Sequence, residues 1–537
     1  LINTDVSGLV LNEEFDLMEA ISPPADADTL AYHFALPKQF IEQGGIKFVP
    51  RAADGAIPLL IQMTYVPALA LGGEMALTLW TTISGWGAAA MLFVFARKYL
   101  DVTWSLALAL LFLTTPAVLF GGGTGQVEIR MALFLAAGVL SMLLGIHENN
   151  IRYIILAAIF TGFVTASKFT GLLFAASFLP VIAYRSKSIK TLLIFGGVAF
   201  LVGCQWYYWN WLHTGDPIFP LLYDLVDYTD PSYWDAAHRD QFGKMFVVER
   251  VVPRNLLWLV SYPVIATLAG LEEFESARTG FGPLPLLLLP FALGAMWKFR
   301  NRVLSSGLFD VAVMITISYL LWFFIGSSQK VRHFLPIYPL ILILLTAASH
   351  EWAKSLRVQP VLAAALILTG LIQIAGQGVF SVNYLRYAFS GESREHFLQR
   401  NISDFAPAPW INAHLSDSDR ILVTTRQLIY LIDVPVFYGH IADDARIDIS
   451  DTATDAKKYY RQLRAQGISH LLVNVNPNIG DKLIYGEDLW LKLVANGCAA
   501  PVAEFKTKTF RSRTFSSMSK SGKTQRVIEL YHQSCPF

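Results

Sequence analysis

Charge is what this sequence has least of: Lys, Arg, Asp and Glu together make up 15% of its 537 residues, and 42 basic against 41 acidic residues leave a net charge of +1. So even a balance offers no basic surface for nucleic acid and no acidic excess for a cationic partner. Cysteine is also scarce, and three residues are too few for a disulfide framework. Cys204 lies in an apolar run and reads as a small core residue, whereas Cys498 and Cys535 fall in the polar tail and are free to pair if that tail lies in an oxidising compartment. The glycines of Gly121-Gly122-Gly123-Thr124-Gly125 lack the G-x-x-x-x-G-K-[ST] spacing of a nucleotide loop. His33, His213 and His238 do not show metal-ligand spacing, and neither a signal peptide nor an internal repeat is visible.

What is abundant is apolar: 54% of residues are hydrophobic, a composition whose main solvent is lipid. Runs of roughly 16 to 22 apolar residues, long enough to cross a hydrocarbon core as helices, lie near 75–96, 103–121, 129–147, 151–166, 169–185, 190–211, 281–298, 308–327, 333–349 and 358–378. Every second junction between them is basic: Arg97 and Lys98, Arg152, Arg185 with Lys187 and Lys190, Lys298 with Arg300 and Arg302, then Lys354 and Arg357. The positive-inside rule makes those junctions cytoplasmic. Residues 1–73, the turn at 121–128, the turn around Lys168, the loop 212–280, the turn 326–332 and everything after 379 are then expected outside. Two further apolar stretches, 56–72 and 254–271, carry internal prolines and would invert the alternation, so they read as helices lying in the interface. The same alternation expects another span before Leu1. The fold class is thus a polytopic α-helical membrane protein of about ten spans with a C-terminal extramembrane α/β domain.

That last domain follows from a change of composition near 395. Short apolar runs at Ile421–Thr424, Ser469–Val475 and Arg526–Tyr531 alternate with a helical pattern over Ala456–Gln466, which Gly467 is placed to cap. Residues 507–523, basic and rich in Ser and Thr, read as a mobile loop. The domains expected are 1–73, 74–378 and 379–537.

The segments expected outside hold the chemistry. In the first, Pro23-Pro24-Ala25-Asp26-Ala27-Asp28-Thr29 runs into Tyr32 and His33. Asp28 is placed to cap a helix starting at Thr29, or to act as a general base on an acceptor hydroxyl; Asp26 has less structural reason to be there. The four glycines of the second turn let a ligand approach and lead to Glu128, which complements a helix dipole or serves the site, with Arg130 as its nearest ion-pair partner. Lys168, Lys330 and Arg332 are cations on a side that the positive-inside rule depletes. Snorkelling to lipid headgroups explains them, and so does binding a phosphate. The aromatic run Trp206-Tyr207-Tyr208-Trp209-Asn210-Trp211 is an interfacial belt or a sugar-stacking surface, and Gly215-Asp216-Pro217 after it is a turn.

Taken in order, these elements resemble the GT-C membrane glycosyltransferases, in particular the branch of protein O-mannosyltransferases and the lipid A aminoarabinose transferase. Asp28 with Tyr32 four residues on resembles the family's Asp-Glu motif, although Thr29 follows where the family has Glu. Glu128 matches the family's second acid, Lys168 a basic residue after the fifth span, and Arg332-His333-Phe334-Leu335-Pro336 an Arg-Tyr-x-x-Pro element, with His333 for Tyr. Asn210 with Thr214-Gly215-Asp216-Pro217 resembles an Asn-x-x-x-Thr-Gly-Asn-Pro loop, with Trp209 where relatives carry Arg. The resemblance covers most of residues 20–340. It implies inverting transfer of a sugar from a polyprenyl-phosphate carrier to an acceptor protein, lipid or glycan on the periplasmic face of a bacterial inner membrane. Asp28 is then the base, Asp26 and Glu128 its acidic neighbours, Lys168, Lys330, Arg332 and His333 the carrier-phosphate site, and Tyr32 and Asn210 substrate contacts; the acids leave room for a divalent cation. The rival readings are a catalytically silent scaffold subunit of a larger membrane complex and, on a different principle, a secondary transporter.

Overall fold

The computed structural model describes residues 16–269, 273–301, 306–440, 443–448, 455–475, 487–510, 519–531 and 535–537. Residues 1–15, 270–272 and 511–518, parts of the expected first loop, interfacial helix and basic loop, lie outside them.

Each apolar run folds as helix because in lipid only a helix pairs its own backbone polar groups. After a π-helical turn at Thr29–His33 come α1 (Ala35–Glu42), α2 (Leu60–Ala96), α3 (Val102–Leu113), α4 (Pro116–Gly122), α5 (Glu128–His147), α6 (Ile151–Thr165), α7 (Gly171–Ala176), α8 (Phe178–Ser186), α9 (Ile189–Gly203), α10 (Gln205–Thr214), α11 (Ala236–Val248), α12 (Leu256–Leu268), α13 (Leu284–Lys298), α14 (Gly307–Ile325), α15 (Tyr338–Leu356) and α16 (Gln359–Ser390). Short polar links end these helices cleanly: Asp101, Asn150, Ser188, Asn255 and Ser306 each accept a backbone N–H at the start of the helix that follows.

Among the described residues five helices are long and apolar enough to cross a membrane, seven if each of two bent pairs is one span: α3 with α4, bent by 68°, and α9 with α10, bent by 58°. Four shorter apolar helices, Ile151–Thr165, Gly171–Ser186, Leu256–Leu268 and Leu284–Lys298, accompany them. The bend between α9 and α10 falls at Cys204, which is half-buried at that corner rather than a core residue. From Leu60 on, the stretch 56–72 and the run after it form one helical element, α2, broken at Gly73 (φ 68°). Apolar side chains point outward over much of the bundle, as at Ile189, Leu193, Phe200 and Leu201 of α9 and Leu256, Leu257 and Val260 of α12, the reverse of a water-facing surface. The most enclosed of the spanning helices is α15, whose Tyr338, Leu340, Leu342 and Ile343 are fully buried. It extends a 3₁₀ turn at Val331–Ile337 that packs on α5 and carries Arg332 and His333.

Beyond α16, α17 (Arg394–Asn401) and α18 (Pro407–His414) lead into a five-stranded sheet of order β2-β1-β3-β5-β4. Its strands are β1 (Ile421–Val423), β2 (Val436–Tyr438), β3 (His470–Asn474), β4 (Ala499–Phe510) and β5 (Ser519–Leu530). The β1 strand runs parallel to β2 and β3, and β5 antiparallel to β3 and β4. Strand periodicity divides its two faces. Leu422, Phe437, Leu471 and Ile528 pack on α19 (Ala456–Ala465) and α20 (Glu487–Ala495). Val423, Tyr438, Leu472 and Val527 join the core continuous with the helical bundle. Gly467 follows α19 at φ 67°, as a C-terminal glycine should. The basic stretch differs from expectation, because 507–510 and 519–523 are strand residues of the β4–β5 pair. The reason is tertiary: Thr507 is buried and donates to Asp404 Oδ1 at 2.8 Å, which ties the hairpin to the body of the domain.

Cys498 and Cys535 form a disulfide that pins the C-terminus to the start of β4. Replacing both by Ser is expected to lower the unfolding free energy of this domain by about 2–4 kcal/mol. Denaturant titrations of the full chain with and without reductant check this, with the double variant insensitive to reductant.

Candidate functional site

The π-helical turn owes its position to Asp26, not Asp28. Asp26 Oδ2 accepts from Thr29 N at 2.9 Å and from Thr29 Oγ1 at 2.7 Å, and Thr29 Oγ1 in turn accepts from Gly125 N at 2.9 Å. Asp28 makes no capping bond. Asp26 therefore has the structural role that the sequence offered to Asp28, and the hydroxyl of Thr29, in place of a Glu, joins the first outer segment to the glycine turn. Two of the four glycines serve that joint: a Cβ at Gly123 would sit 2.6 Å from Glu19 Cδ, and one at Gly125 2.8 Å from His33 Cβ. Arg130 is not the partner of Glu128. Its guanidinium donates to the carbonyls of Thr81, Gly121, Gly122, Thr124 and Gln126 and to Ser84 Oγ, holding the turn in shape.

Asp28, released from capping, is the hub of a charge cluster. Arg332 Nη1 lies 3.0 Å from its Oδ2, Arg426 pairs with its Oδ1, and Gln126 Nε2 bridges Asp28 Oδ2 (3.1 Å) and Asp26 Oδ2 (3.2 Å). Burial pushes the Asp28 carboxyl up, but Arg426, Arg332, the Gln126 amide and His33 together outweigh it and hold the group well below the usual carboxylate range. Beside it, Glu128 Oε1 accepts from Lys168 Nζ at 2.6 Å and stands 3.2 Å from His333 Nδ1. Asp28, Glu128, Lys168, Arg332 and His333 thus converge from four separate segments of the chain. Tyr32 packs beside them, its ring 4.0 Å from that of His33, with burial and the charges of Asp28 and Glu128 raising its hydroxyl well above the usual range.

Two expected members stand apart. Lys330 is held between Glu249 (2.8 Å) and Glu275 (3.0 Å), and Glu275 also lies 3.9 Å from Arg332, so Lys330 adjoins the cluster through a carboxylate. Asn210 is fully buried and donates to Ala56 O at 3.0 Å, fastening the first outer segment. Sequence reading missed Arg426, Gln126 and His33. Arg426 is the most distant, 398 residues from Asp28, in a 3₁₀ turn (Arg426–Leu428) after β1. That turn is docked: Tyr430 N donates to Leu30 O, and Lys38 Nζ to Tyr430 O and Ile432 O.

Among the described residues no three His, Cys, Asp or Glu side chains are grouped to hold a metal ion. The donor set does not fit a divalent cation either, since both oxygens of Asp28 face guanidiniums and Glu128 faces an ammonium.

A second joint links the first outer segment to the sheet domain. Arg51 Nε is 2.9 Å from Asp54 Oδ1, Ala53 N donates to Asp443 Oδ1 at 3.0 Å, and His440 Nδ1 is 3.3 Å from Asp443 Oδ2. Burial, aided by Asp443 and opposed by Arg51, pushes the Asp54 carboxyl up to about 7. A raised acid binds its proton more tightly folded than unfolded. Its stabilising contribution is therefore complete below about pH 4 and is lost as pH rises through 7. Asp54→Asn is expected to remove this dependence and to be more stable than the parent at pH 8 by roughly 2–4 kcal/mol. Thermal unfolding in detergent between pH 5 and pH 8 measures it, and an unchanged slope in the variant contradicts it.

The helical bundle with its bent helix pairs, the acid-bearing segment before it and the C-terminal α/β domain together have the GT-C fold seen in the ArnT structures. ArnT from Cupriavidus metallidurans in the apo state superposes with a TM-score of 0.56 at 13% identity, covering 98% of this chain and 97% of that one. The same protein bound to undecaprenyl phosphate gives 0.53 at 11%, covering 100% and 99%. The Archaeoglobus fulgidus oligosaccharyltransferase in the apo form gives 0.48 at 14%, covering 88% and 69%. By sequence, no family model and no curated protein matches the chain.

Proposed function

We propose that this protein transfers a sugar from a polyprenyl-phosphate carrier to a protein, lipid or glycan acceptor, on the periplasmic face of a bacterial inner membrane. In this reading the chain has about ten spans, with residues 1–73 and 379–537 outside. The observation that carries it is the Asp28 carboxylate clasped by Arg332 and Arg426 at the outer end of a GT-C bundle. A structural neighbour of that fold, ArnT, has been seen bound to undecaprenyl phosphate.

A phosphodiester arriving at this cluster competes with Asp28 for two guanidinium forks, each shaped for bidentate phosphate. Arg426 is 45% exposed and open to such a ligand. Drawn to the phosphate, the arginines neutralise the leaving group and release Asp28 from the pairing that suppresses its basicity. The acceptor oxygen attacks the anomeric carbon, Asp28 takes its proton, and the bond from that carbon to the phosphate oxygen breaks with its electron pair leaving on polyprenyl phosphate. One displacement inverts the anomeric centre. Lys168 and His333 add donors on the carrier side, and Asp26 and Glu128 accept from sugar hydroxyls. Lys330 orients Glu275 and through it Arg332, and Asn210 and Tyr32 shape the outer segment.

The test is direct. Undecaprenyl phosphate should raise the unfolding temperature of the full chain in detergent, and the shift should shrink in Arg332→Ala and in Arg426→Ala. No shift for the parent protein overturns the reading.

A further inference from the structure

Among the buried polar atoms of the cluster without a hydrogen-bond partner is one on a neutral ring. His33 ends the π-helical turn and is 1% exposed. Its Nδ1 lies 2.9 Å from Gln62 Nε2 of α2, and an amide nitrogen can only donate. Nδ1 is therefore the acceptor, and the ring proton resides on Nε2. That N–H has no partner among the described residues, and a donor left unfilled at this depth is destabilising in the resting protein. Burial, winning over Glu128 and Asp28, lowers the ring to about 3, so it stays neutral at any physiological pH.

What the N–H can take is limited by its neighbours. The charges of Glu128, Asp28, Lys168 and Asp26 all act on the ring, three of them negative. Phosphate is excluded by those carboxylates, and a cation by the N–H itself. A hydroxyl satisfies both, because its oxygen accepts from the imidazole while its own proton goes to a carboxylate. A ring carrying several hydroxyls fits such a set best.

We propose that His33 Nε2–H hydrogen-bonds a hydroxyl of the sugar to be transferred, so that the acidic side of the site selects a glycosyl-bearing carrier over the bare carrier phosphate. This rests on the carrier reading above but adds a residue and a subsite to it. The experiment measures affinities of the full chain in detergent for undecaprenyl phosphate and for undecaprenyl-phosphate glucose, mannose and galactose. The parent protein should bind at least one sugar-bearing lipid about tenfold or more tightly than the bare one. His33→Phe, which keeps the ring against Tyr32, and His33→Leu, which does not depend on that packing, should both bind the two kinds of lipid alike. His33→Gln, which retains an N–H, should recover part of the preference. Affinity for bare undecaprenyl phosphate should change less than about twofold across the series. Retained discrimination in whichever of the Phe and Leu variants folds overturns the proposal, and so does a parent protein that binds the bare lipid but prefers no sugar. A parent that binds no lipid at all sinks the carrier reading itself, an outcome seen separately in the bare-lipid arm.

Discussion

Asp28→Asn should lose transfer by roughly 10²–10⁴-fold in kcat while binding undecaprenyl phosphate more tightly than the parent. The two effects have one cause. In the resting protein the carboxylate is the counter-ion of Arg332 and Arg426. An amide of the same shape removes the carboxylate that both guanidiniums share, and a phosphate that binds them no longer has to displace it. The gain should be about tenfold or more in affinity, with lower stability in the absence of lipid and recovery in its presence. The sign of the pH dependence follows. Because the folded Asp28 carboxyl titrates below its unfolded value, its contribution is complete above about pH 4 and disappears only as pH falls through the lower folded value. The Asn variant should therefore be less stable than the parent at neutral pH, with the gap closing in acid. Single-turnover transfer, lipid titration and thermal unfolding on one preparation check all three; unchanged turnover would remove Asp28 from the role of base.

Arg426→Ala is expected to lower kcat/KM by about 10²-fold, the size of losing a charge-assisted hydrogen bond to a phosphate in the transition state. Arg426→Lys should restore only part of it, since an ammonium keeps the charge but not the fork. The informative measurement is a double-mutant cycle with Arg332→Ala. If both guanidiniums move together from Asp28 to the carrier phosphate, the second substitution costs less than the first. Strict additivity would mean that the two act on separate events.

Much of this cluster is legible in the sequence for a particular reason. Glu128, Lys168, Arg332 and His333 lie at the ends of apolar runs and Asp28 in the segment before the first of them, and the alternation of basic junctions expects all of these on one side before any packing is known. Roles within the cluster were less readable, because they depend on which of two neighbouring acids turns inward. By spacing Asp28, directly before Thr29, is the cap candidate, but the role falls to Asp26 because its Oδ2 meets both the backbone and the hydroxyl of Thr29. Lys330 looked like Arg332 because the acids that hold it, Glu249 and Glu275, come from the long outer loop. Arg426 carried no signal at all. Its turn reads as an ordinary surface connection after a strand, and only the docking of residues 426–433 on the first outer helix brings it to Asp28.

That docking has a temporal side. Ribosomes deliver Asp28 long before Arg426, with 398 residues between them, and the sheet domain must fold before its turn can seat. Until then, the bundle carries an acid with one guanidinium instead of two. The charge cluster is therefore complete only once the sheet domain has folded, and a truncated product ending after α16 would leave Asp28 without Arg426. On the proposed carrier reading, folding of the sheet domain and competence to bind the carrier phosphate are one checkpoint.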